Sequence, residues 1–324
     1  MKTTLSCFVL LLISPAFAVA QDPALRAQAV QLLERANGLS MSPQLPDLER
    51  TDVFHVLDTS SPVKEGTFTR VVLQGVGRRE ETIYGDFHVV DVWTKNGLIS
   101  TRKSEMFPLD VQRVLRITPI DLVRFDDSDV IRAIVEKAGA QGLKLRCIEF
   151  NTVRGQKIDD NEICVNAADG TLVSETLSNE LIEYSDFFPF AGEFVPAKIA
   201  YSLNGVRKLE ITQTVTELKD STDNVLAAPP NSVERLYCKT YRRAIGQSMP
   251  QPKAGYGGRD IDVAVRGVIQ TDGSVAEALV DNADRPELAS EALALVKQWK
   301  FSPALCDGRV NQEVATFIVH FHGR

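Results

Sequence analysis

The sequence predicts an α+β protein: a large curved antiparallel β-sheet, half-barrel-like and with few helices, followed by a small unit of strand, strand, helix, strand. Three observations carry that expectation. Between about residues 52 and 217, short apolar and polar alternations follow one another, punctuated by the turn signals Lys95-Asn96-Gly97, Asp169-Gly170 and Asn204-Gly205. Near residue 220 the composition turns polar and turn-forming, in Asp220-Ser-Thr-Asp-Asn224 and Ala227-Ala-Pro-Pro-Asn231. An amphipathic helix between strand patterns then closes the chain.

The closing unit has the clearest boundaries. Leu288, Ala292, Leu295, Val296 and Trp299 recur at helical spacing, which predicts a helix over Pro286 to Trp299 with one buried face. Asp284 and Glu287 suit its N-terminal cap, and Pro303 forces the chain out of it. Before the helix, Ile261, Val263, Val265 and Ile269 alternate with polar residues, Thr271-Asp-Gly-Ser274 makes a turn, and Val275 to Val280 returns. After it, Ala315, Phe317, Val319 and Phe321 alternate in a last strand. Leu288, Ala292, Leu295, Val296, Trp299, Phe301 and Pro303 form the expected core. Glu313, Val314, Ala315, Thr316, Phe317, Ile318, Val319, His320 and Phe321 form the expected edge, whose unpaired backbone could accept a further strand.

These residues carry a resemblance. Thr271-Asp-Gly-Ser-Val275, Leu288, Ala292-Leu293, Trp299-Lys-Phe-Ser-Pro-Ala304, Asp307-Gly308 and Val314 resemble the C-terminal domain of the TonB energy transducers, over about residues 256–324. The resemblance implies a periplasmic domain whose last strand pairs with a short segment of an outer-membrane receptor, and hence a part in TonB-dependent transport by binding. Full-length members also carry a membrane anchor, a long proline-rich spacer and a Tyr-Pro pair before the first strand. Here Pro250-Gln-Pro252 and Tyr256-Gly257 stand in that region, so binding without energy transduction is expected.

The preceding residues 41–218 are expected to form one sheet, interrupted by a helix over Ser128 to Ala138 and preceded by a helix over about residues 21–40 that Gly38 ends. Asp159-Asp-Asn-Glu162 is expected in a loop. The repeated hairpins, the Asn96-Gly97 turn after Trp93, and the Phe194-Val-Pro-Ala-Lys-Ile-Ala-Tyr201 hairpin with Asn204-Gly205 resemble the half-barrels of the LolA-related periplasmic lipoprotein carriers, over about residues 52–218. That resemblance implies an apolar concave face holding acyl chains under a helix, with Phe87, Val89, Trp93, Phe187, Phe188 and Phe190 as the first candidates for its lining. The aromatic positions also read as ordinary core. Residues 219–255 are expected to be a linker.

Composition narrows the function. A formal charge of −7 on 324 residues argues against a nucleic-acid partner. Met1-Lys2, the apolar run Phe8 to Ile13 and Ala18-Val19-Ala20 predict a secretory signal over residues 1–20, cleaved before Gln21. Export leaves Cys147, Cys164, Cys238 and Cys306, an even set suited to disulfides. Three full pairings are open. The favoured one joins Cys147 to Cys164 across a hairpin and Cys238 to Cys306, tying the linker to the closing unit.

The histidines, acidic clusters and glycine-rich run complete no catalytic pattern. His320 and His322 share a strand face without a third ligand in view, Asp126, Asp127 and Asp129 mark a helix start, and Gly255-x-Gly257-Gly258 precedes a strand where a phosphate loop would precede a helix. No metal, cofactor or enzymatic activity is expected. The expected protein is a periplasmic binding or adaptor protein, whose partner is an outer-membrane receptor or another envelope protein. The alternative is a carrier or sensor of a lipid or other hydrophobic ligand. The sequence leaves the oligomeric state open.

Overall fold

The computed structural model describes residues 21–40, 45–59, 61–117, 124–154, 157–219, 223–235, 238–252, 260–283 and 286–323. The expected signal over residues 1–20 and the Asp284 cap therefore lie outside the described residues. Helix α1 (Pro23–Ser40) precedes β1 (Leu48–Val56), β2 (Glu65–Leu73), β3 (Gly77–Tyr84), β4 (Phe87–Thr94) and β5 (Gly97–Ser100). Helix α2 (Leu109–Ile117) leads to β6 (Asp129–Ala138), β7 (Lys144–Arg154), β8 (Lys157–Asn166) and β9 (Leu172–Leu177). Strands β10 (Glu180–Phe190), β11 (Glu193–Leu203) and β12 (Val206–Glu217) complete this run.

Two antiparallel meanders, β1 to β5 and β6 to β12, join through the β1 and β12 pair, where Phe54 faces Ile211. With β13 (Val233–Arg235) added beside β5, the result is an open curved sheet of 13 strands whose edges are β6 and β13. Alternation along the strands puts Phe54, Phe68, Tyr84, Ile199 and Ile211 on one buried face. Helices α1 and α2 cover that face, and Ala29, Leu33, Val111, Val114 and Ile117 enter the same core. The face that the carrier resemblance assigns to acyl chains thus holds the chain's own helices.

Helix α1 is fastened at its start. Asp22 Oδ1 accepts from the backbone N–H of Ala24 at 2.9 Å and of Leu25 at 3.3 Å, an ordinary N-cap. The Gln21 side chain accepts from the Ile131 N–H at 2.8 Å, and Arg26 donates to the carbonyls of Asp126 and Asp129. The helix runs through Gly38 and ends at Ser40, at the bound expected for it.

Three local expectations need correction. Ser128 to Ala138, expected as a helix, is strand β6. Its apolar Val130, Ile131, Ile134 and Val135 mimic helical spacing because a β-bulge between Ile131 and Ala133 breaks the alternation, while their β-branched side chains favour a pleated surface. Asp159 to Glu162, expected in a loop, belongs to β8 and pairs with β7. Helix α2 was not expected, although Val111, Val114 and Ile117 recur every three residues after Pro108.

The described residues of the expected linker include short strands. Within it, β13 extends the large sheet, β14 (Tyr241–Arg242) pairs with β19 (Ala304–Cys306), and β15 (Ile245–Ser248) pairs with β18 (Lys300–Ser302). Runs of two to four residues are too short to show a period. Cys238 bonds to Cys306 at the end of β19, and Cys147 bonds to Cys164 across the β7 and β8 pair.

The closing unit consists of β16 (Ile261–Ile269), β17 (Val275–Ala283), helix α3 (Pro286–Val296), β18, β19, β20 (Arg309–Asn311) and β21 (Glu313–Phe321). Its main sheet has the order β17, β16, β21. Three short strands therefore intervene between the helix and the last strand. The helix stops at Val296, and Trp299 follows in a turn, still only 4% exposed. Trp299 meets Phe317 edge to face at 5.6 Å, and its Nε1 donates to the Pro250 carbonyl at 3.0 Å.

Leu288, Ala292, Val296 and Phe301 are core as expected, Leu295 packs against it half-buried, and Pro303 is only half-buried outside it. Gly273 is required by its setting. It has φ +79°, and a Cβ there would lie 1.9 Å from the carbonyl oxygen of Phe301, whose N–H donates to the Gly273 carbonyl.

Candidate binding site

The exposed margin of the closing unit is β21. All nine of its residues pair with β16, from Glu313 opposite Ile269 to Phe321 opposite Ile261. Alternation sends Phe317, Val319 and Phe321 into the core and leaves Val314, Thr316, Ile318 and His320 exposed, with Val314 and Ile318 each 41% accessible. No strand among the described residues pairs with its other margin. An antiparallel edge strand has backbone N–H and C=O groups pointing away from its one neighbour, and these match the groups of an incoming strand.

The margin is held in place at both ends. At its start, Glu313 Oε2 accepts from the Ala244 N–H at 2.6 Å, so the segment before β15 braces it. At its end, His320 Nδ1 lies 2.6 Å from Asp262 Oδ1, and His322 Nδ1 lies 3.6 Å from Asp260. Asp260 also accepts from the Gly323 N–H, and that bond, helped by His322, holds its carboxyl below the usual range. Each histidine therefore faces an aspartate across the strand pair.

The expected pocket residues separate. Phe87 and Val89 line a cleft of about 410 Å³ with Met106, Phe107, Pro108 and, from β17, Leu279. Phe87 and Phe107 meet edge to face at 5.2 Å. Ser104 donates to the Glu277 carboxylate across this cleft, joining the segment before α2 to β17. Lys103 and His88 stand at its polar rim.

Trp93 stands apart under the Arg78 guanidinium, 4.3 Å from its ring centroid. Phe187, Phe188 and Phe190 lie half-buried on β10, where Phe187 packs against the main core. Met106, Phe107 and Leu279 were missed by sequence reasoning. The apolar Met106-Phe107-Pro108 triplet before a helical repeat was the available signal for the first two.

Comparison with known proteins gives a family match and several similar solved structures. Residues 253–322 match the model of the family described as Gram-negative bacterial TonB protein C-terminal. No curated protein matches the chain. Similar solved structures include a LolA superfamily protein from Nitrosomonas europaea, at 12% identity and a TM-score of 0.38, covering 61% of this chain and 96% of that one. They also include a DUF1329 family protein from Desulfovibrio piger, at 9% identity and a TM-score of 0.41, covering 63% and 97%.

Proposed function

We propose that this chain is a non-enzymatic binding protein of the bacterial envelope, working in the periplasm, whose closing unit takes an extended segment of a partner alongside β21. The observation that carries the reading is a nine-residue edge strand, paired on one side only among the described residues and anchored on a packed core. Backbone pairing would supply affinity, and the exposed Val314 and Ile318 would select apolar side chains at alternate positions of the guest. The match of residues 253–322 to the TonB C-terminal family supports an outer-membrane receptor as the partner.

The test uses the full chain and short apolar peptides. Hydrogen exchange should slow at the outward amides of β21 when a peptide binds, and N-methylation of alternate peptide amides should abolish the effect. Equal protection by the methylated peptide would sink the reading.

A second reading has its own observation. The cleft beside Phe87 and Val89 has an apolar wall and, at about 410 Å³, falls in the range of small-molecule sites, so it would suit a hydrophobic ligand.

A further inference from the structure

A second cleft between the large sheet and the closing unit differs in chemistry from the apolar one. It measures about 880 Å³ and is lined by Lys95 in the turn from β4 to β5, Glu234 and Arg235 of β13, Lys239, and Arg309 of β20. Arg235 already has its anion, since it donates to the Glu105 carboxylate and to the Arg102 carbonyl. Among the described residues Lys95, Lys239 and Arg309 enter no ion pair, and Glu234 is the one carboxylate in the lining.

The positive charge continues along the chain. Arg235 to Arg243 holds four cations and no carboxylate, in a chain whose formal charge is −7. Arg242 and Arg243 are exposed, and among the described residues they too enter no ion pair. Two fastenings fix these groups on the small sheet of β14, β19 and β20. Cys238 is bonded to Cys306, which sets Lys239 beside the turn that leads to Arg309. Asp307 accepts from the Thr240 N–H at 2.7 Å and from the Lys239 N–H at 3.2 Å. The Thr240 donors hold the Asp307 carboxyl below its usual range, with a lesser pull from the Lys239 charge, so this acid serves mainly the backbone. Tyr241 and Val310 stand among the cations, 48% and 54% exposed.

We propose that this cleft and the small sheet beside it bind an acidic segment of another polypeptide. Cations gathered on an otherwise acidic molecule repel one another, and carboxylates placed between them remove that cost. The volume lies near the top of the range for small-molecule sites, more than a single ion fills, and cations on two facing walls suit a run of carboxylates. A concave site also favours a chain over the flat face of a bilayer. Exposed tyrosine and arginine side by side are the types enriched where proteins meet. The proposal does not depend on the guest strand at β21, where the selection is apolar.

The test titrates the full chain at low ionic strength into fluorescein-labelled hexaglutamate and hexaglutamine, read by anisotropy, with co-sedimentation on phosphatidylglycerol vesicles in parallel. Hexaglutamate is expected to bind at roughly millimolar or tighter and to weaken as salt is raised, while hexaglutamine is expected not to bind. The double variant Lys239→Glu, Arg309→Glu should weaken hexaglutamate about tenfold or more, and Lys95→Glu, on the opposite wall, about threefold or more. All three side chains are exposed, so the fold is not at stake. No binding of hexaglutamate, equal binding of hexaglutamine, or the parent affinity in either variant would overturn the proposal. Capture by vesicles with no binding of hexaglutamate would assign the face to a membrane instead.

Discussion

Trp299 carries the closing unit at the residue scale. It is nearly fully buried, touches Phe317, and spends its one polar atom on Pro250, so replacing it removes packing and a cross-link to the preceding segment together. Trp299→Ala should cost about 3–5 kcal/mol in the unfolding of this unit, measured by denaturant titration. Trp299→Phe should cost less, because the ring contact survives while the hydrogen bond is lost. This position was legible in the sequence from helical spacing, although the helix itself stops at Val296 and the indole reaches the core from the following turn.

Buried charge was not legible, because a polar residue in a strand alternation reads as outward-facing. Arg50, Asp52, Arg70 and Glu175 all lie on the covered face of the large sheet or close to it. Asp52 pairs with Arg50, and Arg70 with Glu80 at 2.8 Å. Burial pushes the Arg70 guanidinium down to about 10 against the pull of Glu80. Glu175 is the informative member, since burial raises its carboxyl despite the bond that Tyr184 donates at 2.8 Å. A group raised on folding favours the fold below its unfolded value and withdraws that support as the pH climbs through its folded value. Glu175→Gln, which keeps an oxygen for Tyr184, should therefore raise the melting temperature at neutral and mildly alkaline pH, and the gain should vanish below about 4.5. A loss of stability at every pH would show instead that the ionised carboxylate is needed where it lies.

At the scale of elements, spacing served where a period ran long and failed where it was interrupted. Strands β10 to β12 and β16 were legible from alternation and from the Asn204-Gly205 turn. Strand β6 was not, because one bulge converted its alternation into a helical spacing, and α2 escaped because its apolar positions merge with the Met106-Phe107-Pro108 run before it. Both disulfides joined the favoured partners, and their loops differ in length. Cys147 and Cys164 are separated by 17 residues within a zipped hairpin, whereas Cys238 and Cys306 are separated by 68. Loop entropy grows with the logarithm of length, so the longer bridge should contribute about 4 kcal/mol and the shorter about 3. Replacing Cys238 and Cys306 together by Ala should thus shift the unfolding midpoint further than replacing Cys147 and Cys164. An equal or smaller shift would mean that β14 and β15 already hold the segment without the bond.

At the scale of the whole molecule, what the sequence hides is the meeting of its two units. Gln112 and Arg266 stand 154 residues apart, and Ser104 and Glu277 stand 173 apart, so no local pattern announces either contact. The apolar cleft arises from the same meeting, since Phe87 and Phe107 come from one unit and Leu279 from the other. Its occupancy separates the two readings of function. A fluorescent polyene fatty acid should bind the full chain if the cleft is a hydrophobic site, and Leu279→Asp should weaken that binding about tenfold to a hundredfold, the worth of one buried leucine contact. The same variant should leave guest peptides at β21 unaffected, because Leu279 lies on β17, across β16 from that margin. Undiminished probe binding by Leu279→Asp would remove this cleft from consideration and direct the search to the covered face of the large sheet, where α1 and α2 would have to move aside.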